Sequence, residues 1–341
     1  MELALQDALD AKVLALPTVV VDFSRHDPKG DTKSDEQEGR LVEAVGRITS
    51  LQVPHRLADA ILRDSEFEGK PFRDSEKGRM LSSAGPSNAT PVYILCPTAL
   101  LLGMWDSTGP KGGLGPKFER VVVSEIVGVG AEVGDLRRGV RRDPLEIRAA
   151  VKVVKKDNNS WEVADPHAKG GVAPSKLNHS SVPYPEQRDK KTEKNYYNGV
   201  TIEYAEQTTT LSLIALRRLR FPVDGKPDAE LDAAARTALA ALGLCAATLA
   251  FESGADLRSR CLLWPEGAMQ WQLLDRPGEA PREFDLSSAE AIKLLAAAVN
   301  QTKAKGLTWE ENPVELTPSD QLVKLVRLSQ LEAVTESTGT E

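Results

Sequence analysis

The sequence predicts an α+β fold in which a core of short strands and helices carries large inserted loops. Three observations support this class: short β-branched runs, an Ala- and Leu-rich helical pattern in the last third, and no regular alternation of strand with helix. The chain has 341 residues and is 41% hydrophobic, so it can bury a sizeable core. We expect one elaborated domain over residues 1–336 and a disordered tail at 337–341.

The first part of the chain mixes strand and helix signals. The β-branched run TVVVDF at 18–23 predicts a strand. Apolar residues at helical spacing predict helices over 3–15, 35–48 and the segment that follows Pro54. Gly, Ser, Pro and charged residues predict a long loop over 65–90. The remaining assignments are a strand for PVYILC (91–96), a strand or short helix for TALLLGMW (98–105), and a strand for RVVVSEIVGVG (120–130).

The second part is dominated by one long insertion and by helices. Residues 155–200 are polar and predict an inserted loop that is functional or partly disordered. The expected core spans about 18–265, with 65–90 and 155–200 inserted, and 228–336 is rich in helix. The assignments here are a strand or hairpin over 199–222, a strand over 257–264, and helices over 228–251, 287–304 and 318–334. The helix at 287–304 begins with a capping-box pattern.

Composition excludes several classes of protein. The three cysteines have no close spacing, and the four histidines form no metal-binding pattern, so we expect no disulfide framework, metal site or cofactor. The first residues carry Glu2, Asp7 and Asp10, which is unlike a secretory signal. We find no uninterrupted apolar run of about 20 residues, and we expect a cytoplasmic protein with no membrane contact.

Charge is unevenly distributed along the chain. The formal net charge is −7, yet residues 137–200 contain 14 basic and 8 acidic side chains. A local positive face can bind phosphates whatever the sign of the total charge. The basic middle is therefore compatible with a polyanionic partner.

The stretch WDSTGPKGGLGPKFER at 105–120 is the clearest candidate for binding chemistry. It lacks the spacing of a Walker loop, since Lys117 precedes Phe118 rather than a hydroxyl residue, and it lacks GxGxxG spacing. Glycine backbone with Lys111, Lys117 and Arg120 suits an extended polyanion better than a tightly held triphosphate. A solvated hairpin loop explains the same composition, and the residues leave both interpretations open.

Three other segments carry cations with an alternative explanation for each. His55 and Arg56 begin a predicted helix and can contact phosphate there, although a surface histidine beside a salt-bridged arginine is the commoner arrangement. The run RRGVRR holds Arg137, Arg138, Arg141 and Arg142, which suit phosphate or form a solvated charge run. The loop at 152–194 interleaves lysines with aromatic residues, as in single-strand binding surfaces, or is a plain insertion.

Signatures of catalysis are poor. We find no nucleophile elbow and no paired acidic motif. Asp22 and Asp106 are metal ligands in principle, but we expect structural roles for both.

Three segments together resemble a known family. They are SLQVPHRLADAIL (50–62), TPVYILCPTALLLGMWDSTGPKGGLGPKFERVVVSEIVG (90–128) and TLSLIALRRLRF (210–221). They look like the CRISPR-associated RAMP backbone subunit of type I-G effector complexes, formerly called I-U. The resemblance covers roughly 18–265 and is densest at 50–128, where the long glycine-rich pattern is specific.

The resemblance implies a modified RRM-like (ferredoxin-like) palm with insertions that form fingers and a thumb. It implies that several copies, in a Cascade-like complex used in antiviral defence, bind the spacer of the guide CRISPR RNA and present it for pairing with target DNA. Other effector subunits and a recruited helicase-nuclease complete the complex, so no catalytic role is expected. The expected RNA-binding residues are His55, Arg56, Trp105, Lys111, Gly112, Gly113, Lys117, Arg120, Arg137, Arg138, Arg141 and Arg142.

Two alternatives remain at this point. Related RAMP backbones cut guide-paired target RNA with a loop aspartate, for which Asp22 or the loop at 27–35 is a candidate. A subunit that contacts only other proteins is the third interpretation.

Overall fold

The computed structural model describes most of the chain in two compact units. Unit 1 contains residues 1–125 and 208–328, and unit 2 contains 126–207 and 329–341. The prediction of one elaborated domain stays a prediction. The described residues are 1–25, 42–107, 115–133, 152–155, 161–164, 170–174, 187–188, 195–196, 200–258 and 261–338.

The strands are mostly short. In chain order they are β1 (Val19–Asp22), β2 (Arg47–Thr49), β3 (Ser65–Phe67), β4 (Lys70–Pro71), β5 (Met104–Trp105), β6 (Lys117–Phe118), β7 (Val122–Val129), β8 (Glu132–Val133), β9 (Val153–Lys155), β10 (Trp161–Val163), β11 (Gln187–Arg188), β12 (Asn195–Tyr196), β13 (Val200–Thr201), β14 (Tyr204–Leu211), β15 (Ala255–Arg258), β16 (Cys261–Leu263), β17 (Gln270–Leu273), β18 (Arg282–Asp285) and β19 (Val314–Pro318).

The helices are concentrated in unit 1. They are α1 (Glu2–Asp10), α2 (Ala60–Arg63), α3 (Glu76–Ser82), α4 (Thr90–Leu95), α5 (Thr98–Leu102), α6 (Leu213–Leu216), α7 (Ala229–Glu252), α8 (Ser288–Ala304) and α9 (Asp320–Thr338), with 3₁₀ turns at Phe23–Arg25, Arg56–Ala58 and Phe72–Asp74.

A five-stranded mixed sheet organises unit 1, in the order β2-β1-β19-β3-β4. The central strands β1 and β19 run parallel, with Val19 opposite Val314, and antiparallel strands flank them on both sides. The three valines of β1 are all buried. β-Branched residues favour strands, and for this reason β1 could be predicted from the sequence. The predicted α+β class is confirmed, and the arrangement is compatible with an RRM-like fold.

Helix α7 lies in the hydrophobic core. The carboxylate of Asp228 accepts hydrogen bonds from the backbone of Glu230 and Leu231 and begins the helix. A Cβ added at Gly243 of α7 would lie 3.0 Å from the side chain of Leu211, where β14 ends, and 3.1 Å from that of Val122, where β7 begins. The glycine therefore lets both strand ends pack closely against α7. Among the described residues, only α7 is long and apolar enough to cross a membrane. However, 61% of its apolar 18-residue stretch is buried within the protein, as expected of a core helix.

Several predicted elements are wrong. Residues 91–96 form helix α4 rather than a strand, because Pro91 fits the first helical turn and the short apolar run is buried on nearly all sides. The predicted loop at 65–90 contains β3, β4 and α3, and α3 begins where Ser75 accepts a hydrogen bond from the backbone of Gly78. Of the predicted helix over 35–48, residues 35–41 lie outside the described residues, and Ile48 lies in β2 opposite Val21.

Other assignments are confirmed or resolved. Helices α7, α8 and α9 and strands β1 and β7 occur where the sequence predicts them. The ambiguous stretch 98–105 is helix α5 followed by strand β5. The stretch 199–222 contains β13, β14 and α6, while 257–264 forms part of a hairpin of β15 and β16. The tail at 339–341 lies outside the described residues.

The capping box of α8 provides a local test of the fold. Ser287 accepts from the backbone of Glu290, and the Glu290 carboxylate accepts from the backbone and hydroxyl of Ser287. We expect Ser287→Ala to lower the free energy of unfolding by about 1 kcal/mol, measured by urea denaturation. The matched control is Ser288→Ala, one residue further on, which removes no cap and should leave stability within about 0.5 kcal/mol.

The same box predicts a pH effect. The hydrogen bonds from Ser287 lower the pKa of Glu290. A lowered folded-state pKa means that this stabilisation is present above the ordinary pKa of the carboxyl and is lost as pH falls through the folded value. In Ser287→Ala the pKa of Glu290, followed by NMR, should rise towards its ordinary value. An unchanged pKa would show that the box does not form.

Candidate nucleic-acid interface

An open groove of about 650 Å³ in unit 1 brings together two segments that the sequence analysis selected separately. One wall comes from the residues that follow Pro54, and the other from the two strands of the glycine-rich stretch. The lining residues are Pro54, His55, Arg56, Ala58, Ala60, Arg63, Leu102, Gly103, Met104, Trp105, Ser107, Lys117, Phe118 and Arg120.

The glycine-rich stretch is a β-hairpin at its base. Strands β5 and β6 pair antiparallel, with Met104 opposite Phe118 and Trp105 opposite Lys117. Met104 and Phe118 are buried, while Trp105 and Lys117 are exposed, as the two-residue period of a strand requires. The hairpin therefore directs one aromatic and one cationic side chain outwards from an apolar anchor.

Gly103 makes the turn from α5 into this hairpin. Its dihedral angles, φ +83° and ψ +153°, lie in a region that essentially only glycine occupies. A Cβ at this position would also lie 3.0 Å from Cγ of Arg120 and 3.2 Å from the carbonyl oxygen of Phe118. Glycine is required here on both counts.

Arg56 ties the two walls together. Its guanidinium donates to both carboxylate oxygens of Glu2, at 2.7 and 2.9 Å, and to the carbonyl oxygen of Gly103 at 2.7 Å. The Arg56 side chain is only 13% exposed. Arg56 thus supports the groove, and its predicted contact with RNA stays a prediction.

Asp106 anchors the far side of the hairpin. Its carboxylate accepts from Nη2 of Arg73 at 2.7 and 2.8 Å, and its backbone donates to Pro116 at 2.9 Å. These contacts agree with the structural role expected for Asp106. The pair joins residues 33 positions apart, and no local sequence pattern could have identified it.

Two cationic side chains and one imidazole face the groove differently from Arg56. The ammonium of Lys117 lies 5.1 Å from the centroid of the Trp105 ring. His55 and Arg120 are exposed, and within the described residues neither side chain has an ion-pair partner. The described lining contains no acidic residue. The groove is therefore an electropositive cleft with an aromatic surface.

Arg63 also lines the groove, and the sequence analysis missed it. Its guanidinium donates to the Asp64 carboxylate at 2.6 and 2.8 Å, and this hydrogen bond lowers the pKa of Asp64. The prediction for the segment after Pro54 rested on its apolar spacing and on the basic pair His55 and Arg56 at its start, and not on the arginine near its end. Its basic residues at the two ends were the signal that could have identified Arg63.

Of the remaining residues that the sequence analysis selected, the structure describes one aromatic residue and leaves seven outside the described residues. Trp161 is 46% exposed in β10 of unit 2. The residues that fall outside the described part of the chain are Lys111, Gly112, Gly113, Arg137, Arg138, Arg141 and Arg142.

The groove lies within the part of the chain that matches a known family. Residues 1–133 match the family described as CRISPR-associated protein GSU0053 (Cas_GSU0053). A search of curated proteins gives no match. The matched segment is less than half of the chain, yet it contains every residue that lines the groove. The match supports a CRISPR-associated protein with a role in CRISPR defence.

The turn at Gly103 gives a test of the geometry. We expect Gly103→Ala to lower the free energy of unfolding by about 1–3 kcal/mol, because alanine is strained in this backbone conformation. The control is Gly267→Ala, where an added Cβ meets open space and the effect should stay within about 0.5 kcal/mol. Equal stability of the two variants in urea denaturation would contradict the assigned turn.

Proposed function

We propose that this protein is a non-catalytic backbone subunit of a type I, specifically type I-G, CRISPR RNA-guided complex. In this proposal several copies bind the spacer of the guide RNA along their grooves and present it for pairing with target DNA. The observation that carries the proposal is the groove itself. It joins His55, Trp105, Lys117 and Arg120 on one electropositive surface, inside the segment that matches a CRISPR-associated family.

The chemistry of the groove suits an RNA backbone of any sequence. Exposed cations contact phosphates, which are the same at every nucleotide, and they carry no sequence information. An aromatic ring adds a surface on which any base can stack. A guide spacer varies in sequence, so its carrier must bind in this sequence-tolerant way, and base pairing then selects the target.

The proposal assigns other tasks to partner molecules. Target DNA reaches the protein through the guide, further copies and other effector subunits complete the assembly, and a recruited helicase-nuclease cuts the target. In this proposal the complex assembles in the cytoplasm. The net charge of −7 is compatible with this arrangement, because nucleic acid contacts only a local positive surface.

The environment of Asp22 supports a non-catalytic role. Asp22 is 4% exposed, its carboxylate accepts from the backbone of Ser24 at 3.0 Å, and Arg47 lies 3.5 Å away. This carboxylate stabilises the turn after β1. The loop at 27–35, the other candidate for RNA cutting, lies outside the described residues.

The first functional prediction concerns the two exposed cations of the hairpin. Lys117→Ala combined with Arg120→Ala should weaken guide RNA binding by about 10- to 100-fold at low salt, since each lost contact is charge-assisted. The loss should be similar for all sequences. The slope of log K against log salt should become shallower by about 1.4, the value for two lost phosphate contacts on a single strand. Fluorescence anisotropy across a salt series measures both quantities.

The matched control removes the same charge elsewhere. Arg276 and Lys303 are 71% and 56% exposed, and neither lines the groove. Arg276→Ala with Lys303→Ala should leave the salt slope unchanged. If both double variants bind RNA like the wild type, the groove is not the RNA site.

The second functional prediction concerns catalysis. The assembled complex, incubated with RNA complementary to the guide and with Mg²⁺, should leave that RNA intact on a denaturing gel. Regularly spaced cuts that persist in a helicase-nuclease-free preparation would instead assign this chain to the RNA-cutting alternative. Asp22→Asn is the matching variant. Under the present proposal the complementary RNA should stay as intact with this variant as with the wild type.

A further inference from the structure

Trp105 and Lys117 form a pair that offers an aromatic ring, on which a base can stack, and an ammonium, which can contact a phosphate. They lie directly opposite each other on β5 and β6, and the ammonium of Lys117 lies 5.1 Å from the ring centroid of Trp105. Trp105 is 56% exposed, although tryptophan carries a large apolar surface that is usually buried. The cation over this ring belongs to a lysine, whose side chain is flexible.

We propose that a base of the bound single strand stacks on Trp105 in the place that Lys117 occupies in the free protein. The ammonium of Lys117 then moves to an adjacent phosphate. This inference rests on the proposed function and deepens it, because it assigns a base-stacking site and an exchange of partners to one cross-strand pair.

The exchange is favourable on physical grounds. An exposed cation–π contact is weaker than the stacking of a base on an aromatic side chain. Lysine has a four-carbon stem with rotatable bonds, so its ammonium can move several ångströms while its backbone stays fixed in β6. The ammonium also keeps an electrostatic partner, because it exchanges the face of a ring for a phosphate.

The surroundings fit a nucleotide. The groove of about 650 Å³ lies in the size range of small-molecule sites and is large enough for a base with its sugar and phosphate. Arg120 follows β6 closely and His55 lies on the opposite wall, so both are available for the phosphates on either side. The ring contacts the face of a base and not its edge, so the contact accepts all four bases. Adenine, which stacks more strongly than uracil, should bind better.

The experiment compares ligands with and without bases. Wild type, Trp105→Ala and Trp105→Phe are titrated with oligoadenylate, oligouridylate and inorganic polyphosphate at one salt concentration. We expect Trp105→Ala to weaken oligoadenylate binding by about 10-fold, oligouridylate binding by less, and polyphosphate binding by under twofold. Trp105→Phe should restore most of the loss. Lys117→Ala should weaken all three ligands.

Fluorescence reports the exchange directly. The chain has five tryptophans, and the difference between wild type and Trp105→Phe isolates the signal of Trp105. Oligoadenylate should quench this signal, whereas polyphosphate should change it only by withdrawing the ammonium.

The possible failures are distinguishable. If Trp105→Ala weakens polyphosphate as much as oligoadenylate, the residue only shapes the groove and this inference is wrong. If Trp105→Ala binds oligoadenylate normally while Lys117→Ala with Arg120→Ala does not, this inference fails and the proposed function stands. If wild type binds no RNA, or if all variants bind it equally, both fail.

Discussion

A side chain at position 103 would be strained by the backbone conformation and would lie tightly, at 3.0 Å, against the hairpin that returns beside it, and the candidate site depends on this constraint. Because Gly103 adopts φ +83°, the chain leaves α5 and enters β5 without a gap. The same turn exposes a carbonyl oxygen to the guanidinium of Arg56, which is held in turn by Glu2. Removing the turn would separate the two walls, whatever cations they carried. Backbone geometry therefore precedes electrostatics in building this groove.

The groove is also continuous with the hydrophobic core. The backbone of Val121 donates to Leu101 at 2.7 Å, and the backbone of Ser212 donates to Val121 at 2.8 Å. The buried side chains of Met104 and Phe118 belong to the same core. The hairpin that carries the exposed side chains is thus fixed by close packing against the core. Because protein interiors have few voids, a shift of the core would also shift the hairpin. A site built this way holds the backbone that carries its cations in place before any ligand arrives.

Local signals predicted the parts of the fold that local forces decide. The strand at Val19–Asp22 begins with three β-branched valines, and α8 has its own capping box, so both could be predicted from the sequence. Helix α4 could not be predicted, because a short apolar run that is buried on nearly all sides shows no hydrophobic periodicity by which a helix could be told from a strand. For the site, composition identified Lys117, Arg120 and His55 as candidates. That they meet in one groove depends on contacts such as the one between Arg56 and Glu2. These two residues are 54 positions apart, so no sequence motif contains both.

The groove lining, which contains no acidic side chain among the described residues, belongs to a protein of net charge −7. The field near Lys117 and Arg120 attracts a polyanion, whereas the acidic parts of the molecule repel it. This contrast selects an orientation before any contact is made. The face that a strand meets is thus chosen during its approach, while its register stays free, because phosphates are alike at every nucleotide.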